Sequence, residues 1–230
     1  MDDLKSSSVR PVRQSGIRLP PLLQSVGFTA VTQVSVAIVT FVLYGIIRWH
    51  WGLQDLGEFS QVMRVRGMVE WVALLMLPVA ISREIALRLS DPDPAGRRAI
   101  IHAGLALGLA ALTVCVVLLM AFPRSSSIIL FGNEAYHVWI SVFCVLLSGY
   151  TLCILVSSVA RGLMAFHMVN ALQFIYVAAV PVMLFLAGRS MTIKQIVAAM
   201  GFLSAVIAVF FYLAFFRRDT ASDAVTAKTG

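Results

Sequence analysis

The feature that most constrains this chain is a series of long apolar runs that carry almost no charge. The first is "LLQSVGFTAVTQVSVAIVTFVLYGII", residues 22–47, which contains 26 residues without Lys, Arg, Asp or Glu. A helix that crosses a bilayer needs about 20 mostly apolar residues, whereas the apolar core of a signal peptide has about 7–15. This run therefore predicts a transmembrane helix.

Similar runs recur along the chain and predict an all-α, polytopic membrane protein with a bundle of six transmembrane helices. The chain is 60% hydrophobic and only 13% charged. A soluble protein of this length would leave too much of that apolar surface in water. The predicted six-helix region is 22–216, with spans at about 22–47, 58–89, 99–122, 136–160, 169–188 and 193–216.

The distribution of positive charge predicts the orientation of these spans. If the N-terminus lies in the cytoplasm, twelve of the 18 Lys and Arg residues fall on the cytoplasmic side. Lys and Arg concentrate on that side in membrane proteins, so we expect a multi-pass protein of the inner membrane with both termini cytoplasmic. Residues 1–21 are expected to form a disordered tail and residues 217–230 a second tail. The net charge of +7 is assigned to these juxtamembrane residues, not to nucleic-acid binding.

The second span, within "GEFSQVMRVRGMVEWVALLMLPVAISRE" (57–84), has a charge-free part of only 12 residues, 71–82. To cross the membrane, the helix must also include Arg64, Arg66 and Glu70. Arg66 and Glu70 are four residues apart, so they share a helix face and can pair. One interpretation is an interfacial anchor with one internal ion pair. The other is a water-filled cavity, because ionisable groups in membrane helices usually face one.

Three further residues are candidates for a role in a conformational cycle. Pro78 interrupts the second span, and a proline bends a helix because it removes one backbone hydrogen bond. It is predicted to act as a hinge, although membrane helices also contain prolines that have no such role. Arg83 and Arg161 are candidates for phosphate contacts at the inner mouth. The alternative for both is a solvated helix end that follows the positive-inside rule.

The sequence shows no sign of enzymatic chemistry, and we expect no catalytic residue, cofactor or metal. It lacks a glycine-rich phosphate loop and the motifs G-x-S-x-G, H-E-x-x-H and C-x-x-C. The acidic "DPDP" at 91–94 is interrupted by prolines, which make it a rigid turn. All three cysteines lie in apolar runs and are interpreted as small hydrophobic residues.

Two stretches resemble the polysaccharide-transporter branch of the MOP flippase superfamily, which includes O-antigen flippases and is related to the MATE exporters. The first stretch, "WGLQDLGEFSQVMRVRGMVEWVALLMLPVAISREIA", follows a charge-free first helix and carries glycines before an aromatic residue and then a long helix with a Leu-Pro break. The second, "SSVARGLMAFHMVNALQFIYVAAVPVMLFLAG", has a short basic turn at Arg161 and Gly162 before a helix that begins near Asn170. The resemblance covers about residues 22–216.

The resemblance implies a fold, a substrate class and partners. Family members have two six-helix lobes around a central cavity, and this chain is similar to the N-terminal lobe only. The implied activity is the movement of polyprenyl-pyrophosphate-linked oligosaccharide across the inner membrane by alternating access, in polysaccharide or O-antigen (lipopolysaccharide) biosynthesis. The implied partners are this lipid-linked oligosaccharide, membrane lipid, and a second lobe supplied by a homodimer or by another chain.

The same resemblance implies roles for the charged residues of the second span. Arg64 or Arg66 would attract the pyrophosphate or acidic sugars, because the arginine fork suits phosphate. Glu70 would neutralise one of these arginines when substrate is absent. Tyr44 and Gln33 would line the rest of the cavity.

Three other functions remain open at this stage. An ion-coupled exporter of small molecules on the same fold would favour acidic cavity residues, whereas the charges in the spans are mostly basic. A truncated lobe that does not transport is the second alternative. A membrane enzyme that acts on lipid phosphates is the third, and it would need paired carboxylates or a histidine site.

Overall fold

The computed structural model of the protein describes residues 19–89 and 94–229, with side chains for 27–89 and 95–214. This described part contains helices and connecting turns but no β-strand. The expectations for residues 1–18 and 90–93 lie outside it. The helices are α1 Leu19–His50, α2 Leu53–Leu74, α3 Leu77–Leu87, α4 Pro94–Ala121, α5 Pro123–Phe131, α6 Trp139–Gly162, α7 Phe166–Phe174, α8 Val180–Ala187 and α9 Ile193–Thr229. A 3₁₀ turn, Glu134–Val138, precedes α6, and a π-helical segment, Ile175–Ala179, joins α7 to α8.

The lengths and hydropathy of these helices identify a polytopic helical membrane protein, as the apolar runs predicted. Five helices are long and apolar enough to cross a membrane, and a sixth span results if the bent pair α2–α3 is counted as one. The five unbroken spans are 27–50, 95–121, 134–162, 166–187 and 193–214. The all-α fold class is therefore confirmed.

Helix α6 lies at the centre of the bundle, and its span is 61% buried, compared with 17% for α1 and 11% for α4. Its closest neighbour is α9. Gly149 of α6 and Gly201 of α9 face each other so closely that a Cβ on either residue would overlap the backbone of the other helix. Small residues allow membrane helices to pack backbone against backbone, and these two glycines set the distance between α6 and α9.

The segment 123–135, which lies between two of the predicted spans, contains helix α5. Pro123 occupies the first turn of α5, and Gly132 follows its last residue with φ 72°. Proline just inside the start of a helix and glycine just past the end are common helix boundaries. The side chain of Gln61 donates a 3.1 Å hydrogen bond to the carbonyl of Phe131, which ties α5 to α2.

Helices extend into both of the predicted tails. Helix α1 begins at Leu19, so Pro20 and Pro21 belong to its first turn and not to a tail. Proline is tolerated there because the first backbone N–H groups of a helix have no partner within it. Helix α9 does not stop at 216 but continues to Thr229.

The second span is broken at Leu75 and Met76, three and two residues before the proline predicted to bend it. Both residues have positive φ values, 41° and 65°, and the axes of α2 and α3 differ by 53°. A proline ring clashes with the carbonyl four residues earlier, which for Pro78 is the carbonyl of Leu74. The helix therefore ends at Leu74, and Pro78 lies in the first turn of α3.

Candidate functional site

Two cavities lie beside α2, one on each side of an ion pair. The first, here the Arg66 cavity, has a volume of about 180 Å³. It lies among α1, α2, α6, the α7–α8 span and α9, and its polar lining residues are Thr40, Tyr44, Arg66 and Tyr150. The second, here the break cavity, has a volume of about 220 Å³ and is lined by Glu70, Trp71, Leu74, Met76, Pro78, Val79 and Ile154.

Arg66 is held by two contacts that leave much of its hydrogen-bonding capacity unused. Its guanidinium carbon lies 3.9 Å from the ring centroid of Tyr150, a cation–π arrangement. Its Nε atom is 3.7 Å from Oε1 of Glu70. Nε and Nη1 are both buried and make no hydrogen bond. A buried donor without an acceptor is unfavourable. This guanidinium is therefore suited to donate hydrogen bonds to an acceptor in the Arg66 cavity.

Glu70 is the acidic partner in this pair, and it is also incompletely satisfied. Its side chain is only 8% exposed, and its Oε1 atom accepts no hydrogen bond. The 3.7 Å separation from Arg66 is too long for a hydrogen bond. The two charges therefore neutralise each other electrostatically, while Nε and Nη1 of Arg66 and Oε1 of Glu70 make no hydrogen bond.

Backbone hydrogen bonds close the two helix ends on either side of the break. At the end of α2, Trp71 still receives the N–H of Leu75 at 3.2 Å. The carbonyl of Met76 receives the N–H groups of the first turn of α3, at 3.0 and 3.1 Å.

Helix α1 presents a polar stripe towards the Arg66 cavity. Successive members are four, seven and four residues apart, spacings that keep them on one face of an α-helix with about 3.6 residues per turn. The stripe ends at the Arg66 cavity, which two of its members line. From the N-terminal side, its members are Thr29, Gln33, Thr40 and Tyr44.

The beginning of this stripe pairs with polar residues of α7. Gln33 and Gln173 exchange hydrogen bonds of 3.1 and 3.4 Å through their side-chain amides. Asn170 donates a 3.1 Å hydrogen bond to the hydroxyl of Thr29. Together these residues form a polar seam between α1 and α7 that leads towards the Arg66 cavity.

The structure brings together some of the residues singled out from the sequence and separates others. Arg66 and Tyr44 line the same cavity, and Glu70 and Pro78 line the neighbouring one. Arg64 is exposed and lines neither cavity. Residues Arg83 and Arg161 are also exposed and line neither of them. Sequence spacing did not reveal the contact of Arg66 with Tyr150, because the tyrosine comes from α6.

No family model matches the chain, and no curated protein or solved structure is significantly similar to it. The resemblance to the flippases therefore stays a prediction based on the two quoted stretches.

The hydroxyl of Tyr150 supports the wall of the Arg66 cavity, and its removal should be measurable. This hydroxyl donates a 3.1 Å hydrogen bond to the carbonyl of Tyr176, which lies in the π-helical segment. In a π-helix, the carbonyl of residue 176 would accept a hydrogen bond from the N–H of residue 181. Pro181 has no N–H, so this bond cannot form. Tyr150→Phe should leave the buried carbonyl unpaired and cost about 1–3 kcal/mol.

Thermal unfolding of the purified protein in detergent measures this loss. Tyr136→Phe is the matched control, because the ring of Tyr136 stacks on Phe131 while its hydroxyl makes no hydrogen bond among the described residues. A melting temperature for Tyr150→Phe equal to that of the control would contradict the assigned hydrogen bond.

Proposed function

We propose that this chain is the N-terminal lobe of a flippase-type transporter in the inner membrane. Its substrate would be a polyprenyl-pyrophosphate-linked oligosaccharide, moved across the membrane by alternating access in polysaccharide or O-antigen biosynthesis. The observation that carries this proposal is Arg66, a half-buried arginine that lines a cavity between membrane spans and whose buried Nε and Nη1 atoms make no hydrogen bond. Both termini would lie in the cytoplasm.

The chemistry of Arg66 fits the anionic part of such a substrate. A guanidinium presents N–H donors in a planar fork that matches phosphate oxygens. When the cavity holds no anion, the negative charge of Glu70 balances the positive charge of Arg66 in this low-dielectric site. When a pyrophosphate arrives, it can supply the acceptors that Nε and Nη1 lack. The amide and hydroxyl groups of the seam between α1 and α7 suit the hydroxyls of sugars.

The broken second span supports the idea that α2 faces a water-filled cavity or a second lobe. Non-helical backbone is tolerated at membrane depth only where it lies in protein or lines a water-filled cavity. Yet Leu75 and Met76 are 80% and 56% exposed in the isolated chain. A second six-helix lobe across a central cavity would shield this break from lipid. That lobe would come from a second copy of the chain or from another chain.

One observation favours the alternative of an ion-coupled exporter of small cations on the same fold. Glu70 is a buried carboxylate with an oxygen that accepts no hydrogen bond, which suits a positively charged substrate. Of the residues that line the two cavities, however, only Glu70 is acidic, whereas Arg66 shares its cavity with the polar residues Thr40, Tyr44 and Tyr150. The lipid-linked anion therefore remains the substrate that we propose.

The proposal predicts different effects of a conservative substitution at the two arginines of α2. Arg66→Lys keeps the positive charge beside Glu70 but loses the planar fork. If one charge-assisted hydrogen bond to phosphate is lost, affinity should fall about tenfold or more. Arg64→Lys is the matched control, because Arg64 is exposed and lines neither cavity, and it should bind as the wild type does.

Binding of a fluorescent polyprenyl-pyrophosphate glycan to the detergent-purified chain measures this difference, with the neutral polyprenol as the reference lipid. Movement of the same glycan between leaflets of liposomes then tests transport. Equal binding of the charged and neutral lipids by the wild type would contradict the proposed substrate class. Equal loss of binding in both lysine variants would contradict the assignment of Arg66.

A further inference from the structure

A third cavity, here the α4–α9 groove, opens between two helices that both pack on α6. Its volume is about 460 Å³, which is larger than the volume of either cavity beside α2. Its lining side chains come from residues 102–109 of α4, 152–156 of α6 and 208–212 of α9. None of them also lines the Arg66 cavity or the break cavity. The groove is therefore separate from the site at Arg66.

The floor of the groove is buried, whereas its two walls face outwards. Leu155 and Ala208 on the floor are each 1% exposed, but Leu109 and Val209 on the walls are 43% and 51% exposed. Gly108 brings α4 close to this floor, because an added Cβ would lie 2.6 Å from the side chain of Leu155. All three helices are long and apolar enough to cross a membrane. The groove therefore opens towards the acyl chains of the bilayer.

One end of the groove is polar and lies near a membrane surface. His102 comes from the first turns of α4, and Tyr212 lies near the end of the α9 span. Arg98 precedes His102 by four residues. Leu105 and Leu109 follow at spacings of three and four, which keep all four residues on one face of the helix. Arg98 therefore lies on the face of α4 that forms a wall of the groove.

The length of the groove fits a lipid chain in one leaflet better than a partner that crosses the membrane. With Arg98 at the membrane surface, a rise of about 1.5 Å per residue places His102 about 6 Å and Leu109 about 16 Å into the bilayer. The hydrocarbon core is about 30 Å thick, and a helix needs about 20 residues to cross it. The groove therefore covers the depth of a single leaflet, which is the depth of one acyl chain.

We propose that the α4–α9 groove binds an anionic glycerophospholipid such as phosphatidylglycerol. One acyl chain lies between the walls, and Arg98 and His102 donate hydrogen bonds to the phosphate. The charge of α4 is complementary to this headgroup, because its two charged residues, Arg97 and Arg98, are both basic. Basic pockets between transmembrane helices bind anionic headgroups, and the arginine fork matches phosphate oxygens. Tyr212 suits the same level, since tyrosine is enriched at membrane interfaces.

Native mass spectrometry of the detergent-purified full chain measures the headgroup preference. Phosphatidylglycerol and phosphatidylcholine with identical acyl chains are added in equal amounts, and we expect phosphatidylglycerol to be retained preferentially. Arg98→Gln should weaken its retention about fivefold, the effect of one arginine near an anionic lipid surface. Arg97→Gln is the matched control, because it removes the same charge about 100° away around the helix. It should retain phosphatidylglycerol more strongly than Arg98→Gln does.

Filling the groove tests the position of the acyl chain. Ala106→Phe from α4 and Val209→Phe from α9 each place a ring between the walls, and both should weaken the binding of both lipids at least several-fold. Ala103→Phe is the matched control, because Ala103 is exposed but does not line the groove. Gel filtration shows whether each variant remains folded, and the two filling variants act from different helices, so either one can carry the test.

Three outcomes would overturn the proposal. Equal retention of the two lipids by the wild type, or an equal loss in Arg97→Gln and Arg98→Gln, would contradict the contact with an anionic headgroup. Binding that is unchanged by both filling variants would contradict the position of the acyl chain. Displacement of phosphatidylglycerol by a lower concentration of a polyprenyl phosphate would show that the groove holds a prenyl chain and not a glycerophospholipid.

Discussion

Replacing Gly149 with alanine is expected to separate α6 from α9 and to prevent the chain from reaching a stable bundle. An added Cβ would overlap the carbonyl oxygen of Gly201. From the other side, a Cβ on Gly201 would lie 2.5 Å from the Cα of Leu146 and from the carbonyl oxygen of Val145. Overpacking usually costs about 1–3 kcal/mol and sometimes more. The larger cost is expected here because backbone atoms, unlike side-chain tips, cannot rotate away.

The yield of monodisperse protein in gel filtration and the melting temperature of what remains measure this effect. Gly45→Ala is the matched control, because a Cβ at Gly45 meets no atom within 4 Å. In a helix interior, alanine is favoured over glycine by about 0.8–1.0 kcal/mol, so the control should be neutral or slightly stabilised. A Gly149→Ala protein that folds and melts like Gly45→Ala would show that α6 and α9 do not pack as described.

The sequence predicted the existence and class of the helices because bilayer thickness demands long apolar runs. It did not predict which helices pack together. Gly149 and Gly201 look like ordinary glycines in apolar runs, and only the three-dimensional structure shows that they face each other. Helix α5 was missed because "PRSSSIILF" is short and begins with polar residues, although its flanking Pro123 and Gly132 were a usable signal.

The candidate site could be predicted only where its contacts lie within one helix. The spacing of four residues suggested that Arg66 and Glu70 share a face, and they lie 3.7 Å apart in the structure. The contact of Arg66 with Tyr150 joins distant parts of the chain, so no local spacing encodes it. The position of the break was accessible in principle, because proline disturbs the carbonyl four residues before it.

The second large effect is expected at the Arg66–Glu70 pair. Arg66→Gln alone should destabilise the chain by about 3–5 kcal/mol, because it leaves a buried carboxylate without its counter-charge. Arg66→Gln combined with Glu70→Gln removes both charges and should cost less than the sum of the single substitutions. A coupling energy of about 0.5–3 kcal/mol is expected for interacting residues of this kind. Unfolding in detergent, followed for the wild type and the three variants, gives this energy.

Arg88 and Glu84 provide a matched control pair within the same chain. They have the same spacing and a similar separation, 3.6 Å, but their side chains are 42% and 50% exposed. Exposed pairs of this spacing on a helix are worth about 0.3–0.5 kcal/mol. Additive effects at Arg66 and Glu70, or coupling no larger than at Arg88 and Glu84, would show that burial does not strengthen the inner pair.

Exchanging the two charges distinguishes a structural pair from a binding site. Arg66→Glu combined with Glu70→Arg keeps one positive and one negative charge four residues apart on the same helix. If the pair only stabilises the span, the exchanged protein should recover much of the stability lost in Arg66→Gln and behave normally. If Arg66 receives an anion in its own cavity, the exchange places a carboxylate there and an arginine in the break cavity. Stability should then recover while anion binding is lost, because the anion meets a charge of its own sign.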